Sequence, residues 1–233
     1  MSSALRSALH RHWREWRGAI AFILFVVIPI KSSFADWNWV PSGSMNPTIL
    51  EGDLVFVNKL AYDLRVPLTL KRLDRWADPQ RGDIVVLFSP EDETRLVKRV
   101  IGVPGDEIEM RQNRLLLNGR SIAYAPLSDP AIHSMPEPLK SRSAFAQEQL
   151  PDRAHAVMAT PELPARARSF SKIVVPEGKY FIMGDNRDNS HDSRAFGFAD
   201  RESIIGEARA VLLSFDILDK YQPRFERFFT ALQ

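Results

Sequence analysis

The chain has no cysteine among its 233 residues. Disulfide bonds, thiolate metal sites and a cysteine nucleophile are therefore excluded, while the redox compartment stays undecided. Histidine is also sparse, and the five histidines lack the spacing of metal ligands: they are His10, His12, His133, His155 and His191. We therefore expect no metal site.

The sequence has no large excess of one charge. Its 31 Lys and Arg residues against 29 Asp and Glu residues leave a formal charge of only +2. Because nucleic-acid-binding domains usually carry an extended basic surface, nucleic acid is not an expected partner. The length suits one domain, or one domain with an anchor and an insertion.

Only one long apolar segment is evident, and it lies near the N-terminus. Residues 18–35 read GAIAFILFVVIPIKSSFA, without a charge from Gly18 to Ile30. This is short for a membrane-spanning helix, but Lys31 can extend its ammonium to the interface and the bilayer can thin locally. The flanking residues are those typical of membrane interfaces: Trp13, Trp16, Trp37 and Trp39 on the two sides, and Arg6, Arg11, Arg14 and Arg17 before the segment.

The basic residues before the apolar segment predict its orientation. By the positive-inside rule, residues 1–17 lie in the cytoplasm and everything after Asp36 lies outside. We therefore predict a single-pass protein of the cytoplasmic (inner) membrane, anchored in the lipid bilayer by residues 18–35. A cleaved secretory peptide is the alternative, because Ser33-Phe34-Ala35 imitates a cleavage site after a basic and an apolar region. Both interpretations export the rest of the chain to the periplasmic side.

The exported part is predicted to be mostly β, with an antiparallel sheet. Short β-type runs recur at close intervals: 54–57, 84–88, 95–101, 107–110, 115–117, 172–175, 180–183 and 208–215. Asn118-Gly119 predicts a two-residue hairpin turn between 115–117 and 122–124, because both residues tolerate positive φ.

The same pattern predicts the domain limits. A β-rich domain takes in residues 36–124 and 169–216. Between its two parts, residues 125–168 contain seven prolines and no sustained periodicity, which indicates a small irregular inserted cap. In the tail, 217–233, the apolar spacing over 221–232 predicts a short amphipathic helix that packs on its own domain.

The loop after the anchor holds a candidate nucleophile. In Pro41-Ser42-Gly43-Ser44-Met45-Asn46-Pro47 two prolines restrict the backbone of a short Ser/Gly segment, so that a hydroxyl is presented reproducibly. Taken alone, the segment is also typical of a simple turn. A catalytic role requires a base within hydrogen-bond reach.

Lys98 is the candidate base. Strand alternation over 95–101 puts Lys98 on one face with Leu96 and Val100, among apolar neighbours. Because desolvation disfavours the ammonium form, such a lysine can have its pKa lowered enough to accept a proton from serine. Arg99 cannot replace it, because guanidinium stays protonated. The alternative is a lysine at a sheet edge with its ammonium in solvent.

Four segments, in order, closely resemble the signature boxes of bacterial type I signal peptidases. They are residues 41–47 (PSGSMNP), 81–86 (RGDIVV), 98–106 (KRVIGVPGD) and 184–194 (GDNRDNSHDSR). The resemblance extends over about residues 18–216. It implies an antiparallel β-sheet catalytic domain, and a membrane-anchored serine endopeptidase that removes signal peptides from exported preproteins through an acyl-enzyme, without a cofactor.

The resemblance also implies roles for individual residues. Ser44 resembles the nucleophile, Lys98 the general base, and Ser42 the residue whose hydroxyl joins the Ser44 amide in the oxyanion hole. Ser190 is similar to the serine that hydrogen-bonds and orients the lysine. The supporting polar residues are Asp185, Asp192 and Arg194, and an ion pair between the last two is expected.

Substrate recognition follows from the same resemblance. The family binds signal peptides as extended strands and recognises small residues at positions −3 and −1. Candidate pocket residues are Val40, Pro41, Met45, Ile49, Leu96 and Val97, for each of which ordinary core packing is the alternative. Trp37 and Trp39 are expected to hold the site against the outer leaflet.

Other interpretations of the motifs stay open or fail. A calcium loop at 184–194 fails because Arg187 occupies a ligand position, and Arg81-Gly82-Asp83 is better interpreted as a turn before a strand. A specialised processing protease of a conjugation or secretion system would share the Ser/Lys pair. A non-catalytic exported β-domain for binding or scaffolding would explain the anchor, but not the joint presence of Ser44, Lys98 and Ser190.

Overall fold

The computed structural model describes residues 16–67, 69, 71–127, 130–163, 168–217 and 219–232. Most of the predicted basic N-terminal segment, with Arg6, Arg11, Trp13 and Arg14, lies outside the described residues. The helices are α1 Trp16–Ser33, α2 Pro130–His133, α3 Glu137–Lys140 and α4 Ser193–Phe196. Single 3₁₀ turns lie at Gly43–Met45, Lys59–Ala61, Arg201–Ser203 and Phe225–Arg227.

The chain is mostly β. Its strands, in order, are β1 Ala35–Trp39, β2 Asp53–Asn58, β3 Asp63–Arg65, β4 Arg72–Arg75, β5 Ile84–Phe88, β6 Arg95–Gly102, β7 Glu107–Arg111, β8 Arg114–Leu117, β9 Arg120–Ser121, β10 Ala123–Pro126, β11 Ala144–Gln149, β12 Ala154–Ala159, β13 Phe170–Val174, β14 Lys179–Met183, β15 Ala199–Asp200, β16 Ile204–Asp216, β17 Gln222–Pro223 and β18 Thr230–Ala231. The backbone contacts divide the chain into two units, Met1–Asp36 with Lys59–Ala77 and Trp37–Asn58 with Asp78–Gln233.

In the first unit, the predicted apolar segment is helical. Helix α1 is long and apolar enough to cross a membrane, by length and composition. Its large apolar side chains from Phe22 to Phe25 are exposed, which suits a lipid environment better than water. Lys59 donates hydrogen bonds from Nζ to the carbonyls of Lys31 and Ser32, both at 3.0 Å, and so satisfies orphan acceptors at the helix end.

The first unit also contains a hairpin that the sequence patterns did not predict. Strands β3 and β4 pair antiparallel, with Asp63 opposite Arg75. The buried carboxylate of Asp63 accepts hydrogen bonds from Nε of Arg65 at 3.0 Å and Nε of Arg72 at 2.8 Å. Polar pairing therefore stabilises this hairpin, which explains why apolar alternation did not predict it.

In the second unit, the main sheet has the order β1-β2-β16-β5-β6-β14-β15. The 13-residue β16 pairs antiparallel with β2 on one side and β5 on the other. Strand β2 alternates buried and half-buried residues, and its Val55 and Val57 pack in one core with Ile84, Val86 and Ala208. The predicted antiparallel β architecture is thus confirmed. Alternation marked the buried face of β2, whereas β5 is an apolar run that is buried from Ile84 to Leu87.

The pairing of β6 positions Lys98. Strand β5 pairs with β6 over the register from Ile84↔Arg99 to Phe88↔Arg95. Strand β14, on the other side, pairs only with Arg99, Val100 and Gly102. At Leu96, Val97 and Lys98, the edge of β6 that faces β14 is therefore not paired with that strand. At the other end of the sheet, β1 is the edge strand.

A second sheet has the order β13-β7-β8-β9, with Ile108, Met110 and Leu115 in its core. The predicted Asn118-Gly119 turn is present, with φ of 51° and 75°. The strand after it was predicted wrongly: β9 is only Arg120–Ser121, because the chain then leaves as β10 to pair with β11.

The segment predicted as an irregular cap has more order than expected. Strands β10, β11 and β12 form a three-stranded sheet, and α2 and α3 lie in the connection between β10 and β11. Strands β11 and β12 have the sequences AFAQEQ and AHAVMA, in which alanines are mixed with both polar and apolar residues. The two faces of each strand therefore differ too little in hydrophobicity for the sequence to indicate a strand.

The predicted C-terminal amphipathic helix over 221–232 is wrong. The segment instead forms β17 and β18, both paired with β16, around the 3₁₀ turn Phe225–Arg227. Positive φ at Tyr221 and Phe229 further excludes a continuous helix. Backbone hydrogen bonds to β16 decide the conformation of this segment, although its apolar spacing is that of a helix.

Candidate active site

The Ser44 loop is held by its neighbours rather than by regular structure. Gly43–Met45 forms one 3₁₀ turn, closed by the Asn46 amide donating to the Gly43 carbonyl at 3.1 Å. Met45 is buried in the β2–β16 core, which fixes the turn from below. Pro41 precedes the turn and the cis Asn46–Pro47 bond follows it. The hydroxyl of Ser44 is therefore presented on a well-anchored turn.

Lys98 reaches this hydroxyl. Its Nζ donates to the Oγ of Ser44 at 2.8 Å, although the two residues are 54 positions apart, and to the carbonyl of Val97 at 3.0 Å. Lys98 is only 3% exposed, so the alternative of a lysine with its ammonium in solvent is excluded.

The surroundings of Lys98 make its ammonium a stronger acid than usual, so that part of the side chain is present as the neutral amine. Burial lowers its pKa to about 8, while the carboxylates of Asp192 and Asp185 act in the opposite direction. At neutral pH roughly a tenth of such lysines are uncharged and able to accept a proton. The arrangement therefore combines a hydroxyl with an amine that can take its proton.

Asp192 and Arg194 form the predicted ion pair. Nε and Nη2 of Arg194 donate to the two carboxylate oxygens of Asp192, each at 2.8 Å, and the Gly184 amide donates to the same carboxylate at 2.9 Å. Burial raises the pKa of Asp192, but the hydrogen bonds and charge of Arg194 outweigh it, so the pKa lies below its usual value.

Asp185 forms a second buried pair, with Arg99. Nε and Nη2 of Arg99 donate to its two oxygens, each at 2.8 Å, and the hydroxyl of Thr48 donates to Oδ2 at 2.6 Å. Both carboxylates near Lys98 thus already carry a guanidinium partner, which leaves the lysine with weak opposing charge and a lowered pKa.

Ser190 lies beside the pair without the expected bond. Its Oγ is buried and, among the described residues, forms no hydrogen bond of ordinary geometry, although its hydroxyl contributes to lowering the pKa of Asp192. The hydrogen bonds of Lys98 go to Ser44 and Val97. The predicted orienting bond from Ser190 to the lysine is therefore not formed. Ser190 is nevertheless close to Ser44, because a Cβ on Gly184 would overlap both the Ser190 Oγ and the Ser44 carbonyl oxygen.

The candidate pocket residues fall into two groups. Val40, Met45 and Ile49 are buried in the core, which favours the packing alternative for them. Pro41 is exposed, and Leu96 and Val97 are half-buried along the part of β6 that β14 does not cover. Ser42 is exposed and extended immediately before the Ser44 turn.

Several residues that hold the site were not singled out from the sequence. Asn186 donates from its backbone amide to the Ser44 carbonyl at 3.1 Å, and from Nδ2 to the Gly43 carbonyl at 3.0 Å. Arg99, Thr48 and Gly184 have the contacts described above. All of these residues except Thr48 lie inside the motif segments, so attention to every polar residue of those segments would have found them.

Arg187, the residue that argued against a calcium loop at 184–194, pairs with a carboxylate in the structure. Its guanidinium is buried and donates to both carboxylate oxygens of Glu148 in β11, at 2.6 and 2.7 Å. Within the described part of the chain, no group of three or more His, Asp or Glu side chains is arranged to hold a metal ion.

Comparisons with known proteins identify the family of this chain. The family model described as Signal peptidase, peptidase S26, matches residues 13–213. A signal peptidase I from Pseudomonas fluorescens is 37% identical over 205 residues, which cover 82% of this chain and 69% of the relative. One from Pseudomonas aeruginosa is 35% identical over 205 residues, with the same two coverages.

A crystal structure of a signal peptidase I from Enterococcus faecalis V583 is 33% identical and covers 56% of this chain and 97% of that chain. Its TM-score of 0.34 is too low to support an argument about the fold. The family match spans most of the sequence, and the relatives exceed 30% identity over more than two thirds of their own length. The chain therefore belongs to the signal peptidase family, peptidase S26.

Proposed function

We propose that this chain cleaves signal peptides from exported preproteins with Ser44 as nucleophile and Lys98 as general base. As a member of its family, it is a serine endopeptidase that removes signal peptides. The observation that carries the assignment of the two residues is the 2.8 Å distance between Lys98 Nζ and Ser44 Oγ in a buried setting.

In the proposed first step, neutral Lys98 takes the proton of the Ser44 hydroxyl while Oγ attacks the carbonyl carbon of the scissile bond. The resulting lysine ammonium then protonates the leaving amine, and the C–N bond breaks to leave an ester on Ser44. In the second step Lys98 takes a proton from water, which attacks the ester carbonyl. The ester C–O bond then breaks, the lysine ammonium returns the proton to Ser44 Oγ, and the cleaved signal peptide leaves with its new carboxylate.

The developing oxyanion needs hydrogen-bond donors. We assign this role to the backbone amide of Ser44 and the hydroxyl of Ser42, which immediately precedes the same turn. Each such donor contributes about 3–4 kcal/mol to transition-state stabilisation in serine proteases. Ser190 is assigned the task of hydrogen-bonding the Lys98 amine once substrate is bound, when active-site hydrogen bonds commonly tighten.

The substrate is proposed to bind as an extended strand along the Leu96–Val97 segment of β6, opposite the chain that leads from β1 to Ser44. Backbone pairing supplies general affinity, and small pockets at positions −3 and −1 supply discrimination. Pro41, Leu96 and Val97 are the accessible candidates for lining these pockets.

Location follows from the N-terminal helix. We assign residues 18–35 as a single membrane anchor, residues 1–17 to the cytoplasm, and the catalytic domain (36–124 and 169–216), cap (125–168) and tail (217–233) to the extracytoplasmic side. The exposed Trp37 and Trp39 are suited to the outer leaflet, because indole prefers the membrane interface.

The test uses full-length protein in detergent, with a preprotein carrying its signal peptide. Wild-type protein should release the mature protein, and Ser44→Ala should reduce kcat by about 10⁴-fold or more, because no nucleophile remains. Ser203→Ala, which changes a half-buried serine in a 3₁₀ turn outside the motif segments, is the matched control and should retain activity. Cleavage by Ser44→Ala at the wild-type rate would overturn the assignment.

A further inference from the structure

A cavity of about 220 Å³ lies beside Asn46, the residue whose amide closes the Ser44 turn. Its walls are mostly apolar. They come from the loop before β2, from α3 and the residue before it, and from the residue after β16: Leu50, Pro136, Pro138, Leu139 and Ile217. Binding sites for drug-sized molecules start at about 300 Å³, so this cavity suits one small molecule with an apolar body.

Two charged residues, Arg224 and Glu51, also line the cavity. The guanidinium of Arg224 is already bound by acceptors of the protein. Its Nη1 donates to the carbonyls of Glu51 at 2.9 Å and Phe215 at 3.1 Å, and its Nη2 lies 3.2 Å from Oδ2 of Asp216. Because Arg224 is only 8% exposed, little of its charge is left for a ligand.

The carboxylate of Glu51 differs from that guanidinium. Glu51 is half-buried, and its carboxylate accepts no hydrogen bond and forms no ion pair within the part of the chain that the structure describes. Its Oε1 lies beside the Ser44 turn, because a Cβ on Gly43 would be 3.1 Å from it and 2.7 Å from Nδ2 of Asn46. Glu51 has thus lost part of its hydration without gaining a donor from the protein, and a donor in the cavity would stabilise it.

The charge of the lining selects among the possible ligands. An anion would be repelled by Glu51 and would find the guanidinium of Arg224 occupied. A neutral apolar molecule would fill the cavity but leave the carboxylate without a cation. A primary ammonium on an apolar body satisfies both parts, because it brings a positive charge and three hydrogen-bond donors.

We propose that this cavity binds a small primary ammonium with an apolar body. Its cation pairs with Glu51, and its body packs on Leu50, Leu139 and Ile217. The cavity shares no lining residue with β6 or with the Ser44–Lys98 pair. The inference therefore goes beyond the proposed function and does not depend on it.

The test is a titration of full-length protein in detergent with benzylammonium, followed by NMR of ¹³C-labelled Leu and Ile methyl groups. The methyl signals of the cavity wall should shift together, with a dissociation constant on the order of 1 mM for so small a ligand. Benzyl alcohol and benzoate have the same ring without the cation. Each should bind about fivefold or more weakly than benzylammonium, because neither can form the ion pair.

Variants separate the charge from the cavity. Glu51→Gln keeps the shape of the side chain and should weaken benzylammonium to the affinity of benzyl alcohol, with benzyl alcohol itself unchanged. Leu139→Trp fills the cavity and should abolish binding of both, while the methyl signals of the core around β7 and β8 report that the fold is kept. Glu177→Gln removes an exposed carboxylate elsewhere and is the matched control, with affinities equal to those of the wild type.

Equal affinities of benzylammonium and benzyl alcohol for the wild type, or an unchanged affinity of benzylammonium for Glu51→Gln, would overturn the proposal. Shifts confined to methyl groups outside the cavity would do the same. Ser44→Ala should bind benzylammonium as the wild type does, and a loss of binding there would place the amine in the catalytic groove instead. Because the readout is binding, a failure of the proposed peptidase activity leaves this result untouched.

Discussion

Two buried polar clusters in the second unit differ in whether the buried cation has a carboxylate partner. Around Glu148 of the cap, Arg187 binds both carboxylate oxygens, the hydroxyl of Tyr124 donates at 2.5 Å, and His155 lies 3.3 Å away. Burial lowers the pKa of Arg187, but the carboxylate of Glu148 outweighs it, so the pKa is raised. The guanidinium of Arg187 is therefore stabilised in its charged form.

Around Lys98 the nearby carboxylates are paired with arginines and not with the lysine. Asp185 and Asp192 each bind a guanidinium, of Arg99 and Arg194, and the lysine hydrogen-bonds only neutral oxygens. Burial therefore dominates and the pKa falls to about 8. The comparison teaches that burial with a charged partner keeps a group charged, whereas burial beside carboxylates that are already paired leaves an amine that is partly neutral near neutral pH.

The largest expected effect comes from Lys98. Lys98→Met keeps the volume but removes the amine, and we expect kcat to fall by about 10⁴-fold or more because Ser44 loses its base. Stability should be unchanged or higher, since a buried amine is replaced by an apolar group. Lys98→Arg should be equally inactive, because guanidinium cannot accept the proton. Turnover of Lys98→Met within about tenfold of the wild type would contradict the role of the lysine.

The cap cluster should show the opposite behaviour. Glu148→Ala leaves the buried Arg187 guanidinium without its carboxylate and should lower the free energy of unfolding by about 3–5 kcal/mol. The measurement is urea unfolding of full-length protein in detergent, followed by tryptophan fluorescence. Glu162→Ala, which breaks the exposed pair with Arg142, is the control and should cost about 1 kcal/mol or less. Equal losses in the two variants would show that the buried pair contributes no more to the free energy of unfolding than the exposed pair.

The smallest and most specific effect is on the pH profile. Because the base acts in its neutral form, kcat/KM should rise about tenfold per pH unit below the Lys98 pKa of about 8 and level off above it. The carboxylate of Asp185 raises that pKa, so Asp185→Asn should move the midpoint to lower pH. A variant that changed only the plateau height would instead indicate a purely structural role for Asp185.

The candidate site was largely predictable because each of its motifs is a continuous run of residues in the sequence. Ser44, Lys98 and the Asp192–Arg194 pair were expected, and the structure brings them into one unit. The pocket set was less predictable: apolar residues beside a nucleophile serve either substrate or core, and burial assigns Val40, Met45 and Ile49 to the core. Contacts of Asn186 with the Gly43 and Ser44 carbonyls depend on backbone positions that no sequence pattern records.

Strand predictions succeeded where one face is buried and failed elsewhere. Strands β2, β5 and β6 have strong apolar runs or alternation and were located closely. The Ala-rich strands of the cap carry little contrast, and the tail had a helical spacing that pairing with β16 overrode. Local patterns report burial, and they fail where hydrogen bonding to a distant strand decides the conformation.

The amino-acid sequence by itself determined the apolar N-terminal helix, most strands of the main sheet, the Asn118-Gly119 turn and the residue types of the catalytic motifs. These follow from side-chain polarity and backbone freedom over a few residues. Tertiary structure alone decided that an amine and a hydroxyl 54 residues apart lie at 2.8 Å. It also decided that the nearby carboxylates are occupied by arginines, because desolvation and charge pairing exist only once distant strands have come together.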